Sequence, residues 1–283
     1  MQIRIGNKTF DFANKTHVMG ILNVTPDSFS DGGKFFFIED ALIQAKKMVA
    51  DGADFIDIGG ESTRPGSERV SLEGELNRVI PVIEQLARSI DVPISIDTNK
   101  AEVAKKAIEA GATIVNDISG MTFDDKMAEV VAKYEVPVII MHTADDPKVM
   151  QKNYEYNDVV EDIFAYFTER IEFAEKSGIP KDRIILDPGI GFGKSVEHNL
   201  QLIGKVAIEK FSSLGCPVLI GTSRKSFIGL VLDLPVEDRL EGSLATAATS
   251  AIYGAHILRV HDVKETFRIC RMCDVIGGRI SRI

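Results

Sequence analysis

The chain has 283 residues, 45% apolar and 27% charged, which is ordinary globular composition with enough length for a sizeable core. A net charge of −9 argues against a general nucleic-acid or membrane-surface binder, since either wants a basic face, although local cations can still gather an anionic substrate. No run is apolar enough to span a bilayer, MQIRIGNKTF does not read as a signal peptide, and three cysteines make no disulfide framework, so the expected setting is the cytoplasm.

In chain order, residues 1–12 alternate around Gly6-Asn7 and predict a short N-terminal β-hairpin. A strand–loop–helix pattern then recurs eight times. The apolar runs HVMGILN, DFIDIGGESTR, VPISID, ATIVND, VPVIIMH, RIILD, CPVLIGTSRK and HILRVH release polar groups at their C-terminal ends: Asn23, Arg64, Asp97, Asn116, His142, Asp187, Lys225 and His261. Continuous apolar runs suit parallel strands buried on both faces. Between them lie stretches of 3.6-residue period, such as Ile38, Ala41, Leu42, Ala45, Met48 and Val49, or Val160, Ile163, Phe164, Phe167, Ile171 and Ala174. Asp51-Gly52, Ala110-Gly111, Gly178-Ile179-Pro180 and Leu214-Gly215 punctuate the units.

The fold predicted is α/β: a single (β/α)8 TIM barrel over residues 1–283, with chemistry at the C-terminal mouth of the strands. A doubly wound open sheet is the rival, disfavoured by the count of eight units and by the lack of GxGxxG after the first strand. The small-residue stretch SLATAATSAIYGA predicts a helix in close contact with either the barrel or another subunit. Cys270 and Cys273 read as two helix thiols, since no second CxxC accompanies them.

Three strand-end residues define a polar set. Asp97 and Asp187 are costly to desolvate unless partnered, and either one alone could simply cap a helix. Taken with Asn116 they offer acceptors and donors for a flat heterocycle bearing an amide and ring N–H groups, and Lys225 adds a cationic donor. Arg64, Arg259 and His261 form an anion set suited to phosphate, though His261 also suits a helix cap or a core hydrogen bond. Two Gly/Pro-bearing loops, Asn23–Phe35 and Gly59–Ser67, read as covers that exclude water. Asn23 can offer a hard oxygen to Mg2+, with substrate phosphates completing the shell. HExxH, paired CxxC and P-loop patterns are all missing from the sequence.

The motifs NVTPDSFSDGG, GGESTRPG, ISIDT, NDISG, DPGIGFGK, SRKS and RVHD, in that order, resemble the dihydropteroate synthase family of the folate pathway, over His17 to about Val275. The resemblance implies a bacterial-type, monofunctional, homodimeric transferase. Its expected reaction joins p-aminobenzoate to 6-hydroxymethyl-7,8-dihydropterin pyrophosphate with Mg2+, and sulfonamides are its expected inhibitors. Carried over by motif, Asp97, Asn116, Asp187 and Lys225 hold the pterin, with Ile118 and Met141 lining its slot. Arg259 stacks on the ring and joins His261, Asn23, Thr63 and Arg64 on the diphosphate, and Asn23 is also the protein ligand to Mg2+. Pro65, Phe192, Lys225 and Ser226 meet the aminobenzoate. Asp31, assisted by Asp97, stabilises the cation left at the pterin methylene. Asn99 and Thr222 depart from the family pattern without touching a carried-over role. Alternatives are a non-catalytic pterin-binding paralogue and a corrinoid-linked pterin methyltransferase. The first should have lost some of these residues, and the second has no use for a diphosphate set. A phosphosugar enzyme rests on fold analogy alone.

Overall fold

The computed structural model describes residues 1–25, 34–61, 69–143 and 156–280. The expected hairpin is β1 (Gln2–Ile5) and β2 (Lys8–Asp11), antiparallel, with Gly6 in the left-handed region at its turn. Eight parallel strands follow: β3 (His17–Asn23), β4 (Phe55–Gly59), β5 (Ile94–Asp97), β6 (Ile114–Asp117), β7 (Val138–Met141), β8 (Ile184–Asp187), β9 (Leu219–Ile220) and β10 (Ile257–Val260). They hydrogen-bond in the order β8-β7-β6-β5-β4-β3-β10-β9. A bridge between Leu186 and Val218 brings the first and last together, which closes the (β/α)8 barrel.

Around the strands lie α1 (Lys34–Ala50), α2 (Leu72–Ala87), α3 (Ala101–Ala110), α4 (Met127–Tyr134), α5 (Val159–Lys176), α6 (Val196–Leu202), α7 (Lys205–Ser212), α8 (Ser226–Leu232), α9 (Leu240–Ile252) and α10 (Val263–Ile276). The two connections before β9 and β10 each carry two helices rather than the single one expected. Gly204 separates α6 from α7, and Asp233 in the left-handed region followed by Pro235 stops α8 before α9 starts. Both breaks follow from residues that a continuing helix tolerates poorly.

Strand parity divides the core. Val18, Ile56, Ile96, Val115, Ile140, Leu186, Ile220 and Leu258 face the helices in one cluster. Met19, Phe55, Ile114, Ile139, Ile185, Leu219 and Ile257 fill the barrel interior with Ile3, Ile5 and Phe12 from the hairpin segment. The hairpin therefore seals the N-terminal end of the barrel with apolar side chains. Each such buried side chain contributes about 1.5–3 kcal/mol. Two residues further along each strand, the same parity places Ile21, Asp57, Asn116, Met141, Asp187, Gly221 and Arg259 above that plug. The apolar layer stops where the polar one begins.

Candidate active site

Three polar residues and one glycine share one register across the strands. Asn23 pairs with Gly59, Gly59 with Asp97, and Asp97 with Asn116. A Cβ at Gly59 would lie 3.7 Å from Asp97 Oδ2 and 3.9 Å from Asn23 Oδ1, so the glycine leaves open the space between those two side chains. Asp117 has the opposite parity. It accepts from Ser119 N (2.8 Å), Ser119 Oγ (2.7 Å) and Met121 N (2.9 Å), folding the turn behind Asn116.

Asp57 lies at the centre of this layer, fully buried in mid-strand. Its Oδ2 accepts from Arg259 Nε at 2.6 Å and from Asn116 Nδ2 at 3.0 Å. Arg259 Nη2 donates in turn to Asp97 Oδ2 at 2.7 Å. Burial opposes the Arg259 charge, but Asp57 and Asp97 more than offset it and hold the guanidinium charged. Burial pushes the Asp97 carboxyl above the usual carboxylate range, with Arg259 opposing and Asp57 reinforcing the shift.

This network fixes what the site presents. Because the Asn116 amide nitrogen faces a carboxylate, its carbonyl oxygen is the acceptor left for a ligand. Among the described residues, Arg259 leaves three of its five N–H donors without an acceptor. No described residue donates to Asp97 Oδ1, Asn116 Oδ1 or Asp187 Oδ2.

Asp187, at the end of β8, pairs in register with Met141, and its Oδ1 accepts from Gly189 N at 2.7 Å. Burial raises its carboxyl, and Lys225 opposes the rise. Lys225 precedes α8. Its ammonium donates to the Ile190 carbonyl and stands 4.8 Å from the centroid of the Phe192 ring. Burial lowers Lys225 to about 8, with Asp187 working the other way. Ile118 and Met141 are buried at the ends of β6 and β7, and Ser226 opens α8 in an exposed position. His261 Nδ1 lies 3.1 Å from Ser223 Oγ, which also accepts from the His261 backbone N–H at 3.2 Å. Its neighbour Asp262 is engaged by Arg224 at 2.7 and 2.9 Å.

Of the residues singled out in the sequence, the strand-borne set Asn23, Asp97, Asn116, Met141, Asp187 and Arg259 therefore gathers at one mouth, with Lys225 near Asp187 and the Phe192 ring beside Lys225. Asp31, Thr63, Arg64 and Pro65 lie outside the described residues. Two further participants were not anticipated. Asp57 was hidden inside an apolar run, and its same-parity spacing from Phe55 and Gly59 was the available signal. Lys194, after the glycines of GIGFGK, bonds across to β7.

The chain as a whole matches known proteins closely. The chain fits the pterin binding enzyme family over residues 19–261. It is 50% identical over 278 residues to a dihydropteroate synthase of Clostridium beijerinckii, covering 98% of this chain and all of that protein. The chain belongs to the dihydropteroate synthase family. Members of this family are transferases, and so is this enzyme. Among solved relatives, the Yersinia pestis dihydropteroate synthase with a sulfonamide drug complex superposes with a TM-score of 0.92 at 44% identity, covering 98% of this chain and 100% of that one. The Clostridium difficile dihydropteroate synthase, solved in the presence of pteroic acid, gives 0.88 at 49% identity, covering 94% and 98%. Among the described residues no helix is long and apolar enough to cross a membrane.

Proposed function

We propose that this synthase condenses p-aminobenzoate with 6-hydroxymethyl-7,8-dihydropterin pyrophosphate, releasing 7,8-dihydropteroate and pyrophosphate. The observation that carries this reading is the acceptor set of Asp97, Asn116 and Asp187 facing a cationic Lys225 and Arg259. A dihydropterin edge bears an exocyclic amine and ring N–H groups for the acceptors, and a carbonyl for the lysine. Ile118 and Met141 supply apolar walls to the slot. Arg259, with three N–H donors remaining, takes the diphosphate with His261, Thr63 and Arg64. Phe192 and Pro65 flank the aminobenzoate ring, whose carboxylate lies toward Ser226, with Lys225 between the two substrates.

The reaction breaks the C–O bond between the pterin methylene and the diphosphate and forms a C–N bond to the arylamine. The amine proton is lost and pyrophosphate carries off the electron pair. Asp31 and the buried Asp97 stabilise positive charge at the methylene. The arylamine is already neutral at pH 7, so the chain contributes position and electrostatics rather than a strong base.

Asn23 suits Mg2+, because its amide oxygen opens onto the gap left by Gly59 beside a carboxylate, and a magnesium ion takes few protein ligands. When bound there with the substrate's phosphate oxygens, the ion supplies neutralisation of the departing charge. Among the described residues no cluster of three His, Cys, Asp or Glu side chains is placed to hold a metal ion.

We further read residues 1–283 as one barrel domain working in the cytoplasm as a homodimer. Exposed apolar residues on consecutive helices, Leu230 and Val231 on α8, Ile252 on α9, Met272 and Ile276 on α10, support a subunit contact. Three buried free cysteines support a reducing compartment.

The test is pyrophosphate release from the dihydropterin pyrophosphate, with and without p-aminobenzoate and Mg2+. Release coupled to pteroate formation and dependent on both additions is expected. A folded, pterin-binding but silent protein would turn the reading to a non-catalytic paralogue.

A further inference from the structure

The loop after β8 alternates glycines in the left-handed region: Gly189, Gly191 and Gly193 have φ of 70°, 80° and 63°. A backbone this free needs external ties to hold one conformation. Gly189 packs against β7 so closely that a Cβ would fall 1.9 Å from the His142 carbonyl oxygen. Asn199 on α6 accepts from Gly191 N at 2.7 Å and donates to Lys194 O at 3.3 Å and to Ser195 O at 2.8 Å. Both ends of the loop are thereby fixed, while Phe192 sits at its crest.

The tie at the crest comes from Lys194. Its Nζ lies 3.0 Å from the Phe192 carbonyl oxygen, 3.1 Å from His142 Nδ1 and 3.4 Å from the His142 carbonyl oxygen. Three acceptors face a group with three N–H bonds. The side chain folds back over its own loop, and burial lowers its ammonium to about 7 with the Asp187 charge opposing, so those bonds offset only part of the lost hydration. His142 is a neutral acceptor here, since burial and the nearby Lys194 charge hold its ring near 3.

We propose that Lys194 is a positioning residue for the aminobenzoate half of the site: by joining the Phe192 carbonyl to the end of β7, it fixes the Phe192 ring beside Lys225. The inference rests on the assignment of Phe192 to the aminobenzoate given above. Lys225 Nζ already contacts this loop twice, at the Ile190 carbonyl and at the Phe192 ring face. Turning the Phe192 peptide would move the ring away from that cation. Asp97, Asn116 and Arg259 are linked through Asp57 and the Arg259 guanidinium and hydrogen-bond to no atom of Lys194, so the tie reaches the pterin half only through its charge near Asp187.

The experiment is steady-state kinetics of Lys194→Met at saturating pterin pyrophosphate, with calorimetric binding of 6-hydroxymethylpterin alongside. The expected result is a KM for p-aminobenzoate raised about tenfold, with kcat and pterin Kd within about twofold of the parent. An unchanged aminobenzoate KM, or an equal loss of both affinities, overturns the proposal. Should the methionine variant not fold, Lys194→Gln, which stays polar but is too short to span all three acceptors, decides by the same split. Phe192→Ala separates the two levels of the argument. If it leaves the aminobenzoate KM unchanged, the Phe192 assignment falls and the proposal with it. If it raises that KM while Lys194→Met does not, only the role of Lys194 falls.

Discussion

Asp57 holds Arg259 by a 2.6 Å bond from Nε to Oδ2, and the same oxygen orients Asn116 at 3.0 Å. One buried carboxylate thus sets both the cation proposed for the diphosphate and an acceptor proposed for the pterin. Asp57→Asn keeps the shape but removes the charge, and an amide oxygen serves both donors less well. Disrupting a buried charge pair costs about 3–5 kcal/mol in stability, so the melting temperature should fall. We expect kcat/KM to drop about 100-fold as Arg259 and Asn116 lose their fixed directions. Turnover close to the parent's would show that Asp97 alone suffices to hold Arg259.

Asp187 is proposed to hold the pterin, with one oxygen engaged by Gly189 N and the other accepting from no described residue. Asp187→Asn keeps an acceptor for Gly189 but turns one ligand-facing group into a donor. Pterin Kd, read by calorimetry, should weaken about tenfold or more, with the aminobenzoate KM little changed. Parallel loss of both would move Asp187 out of the pterin subsite.

Lys225, lowered by burial to about 8, is a charged donor below that pH and a neutral amine above it. Pterin affinity should therefore fall as pH rises through about 8, and Lys225→Arg should remove the break because a guanidinium stays charged. Titrating Kd from about pH 6.5 to about 9.5 checks this, and a break persisting in the arginine variant would assign it elsewhere.

His256 Nδ1 accepts from Val218 N at 3.0 Å, which requires an unprotonated nitrogen. Burial, aided by the nearby Arg279 charge, lowers its ring to about 4. The unfolded ring, near its ordinary value of about 6.5, takes up a proton first, so stability present above that pH drains away as pH falls toward 4. His256→Gln keeps an acceptor without the titration and should flatten the slope of unfolding free energy over this window. Denaturant melts at a series of pH values measure it, and an identical slope would clear His256 of the effect.

The barrel was legible because each strand is an apolar run with a polar residue at its end, and that rule also located Asn23, Asp97, Asn116, Asp187 and His261. Asp57 escaped it because the residue sits inside its run, and a lone acid among FIDIG carries no sign of the arginine that meets it from β10, some two hundred residues away. Lys194 reads as an ordinary loop lysine, since the carbonyls it joins are backbone groups with no sequence signature. An eightfold strand–loop–helix pattern passes over the paired helices before β9 and β10, although Gly204 and Pro235 mark both breaks. Periodicity records which face of an element is buried. It does not record which buried charges find one another.

β9 is two residues long and meets β8 through the single bridge from Leu186 to Val218, so the cylinder has a seam. Asp187 stands on one lip of that seam, and Lys225 follows the strand on the other. A pterin held by both is a rivet across the weakest join in the barrel, supplying cross-links that the short strand lacks. On the proposed assignment a bound pterin ties the two lips of an already closed barrel more firmly, so backbone amides near Val218 should be slowest to exchange with solvent when the pterin is in place.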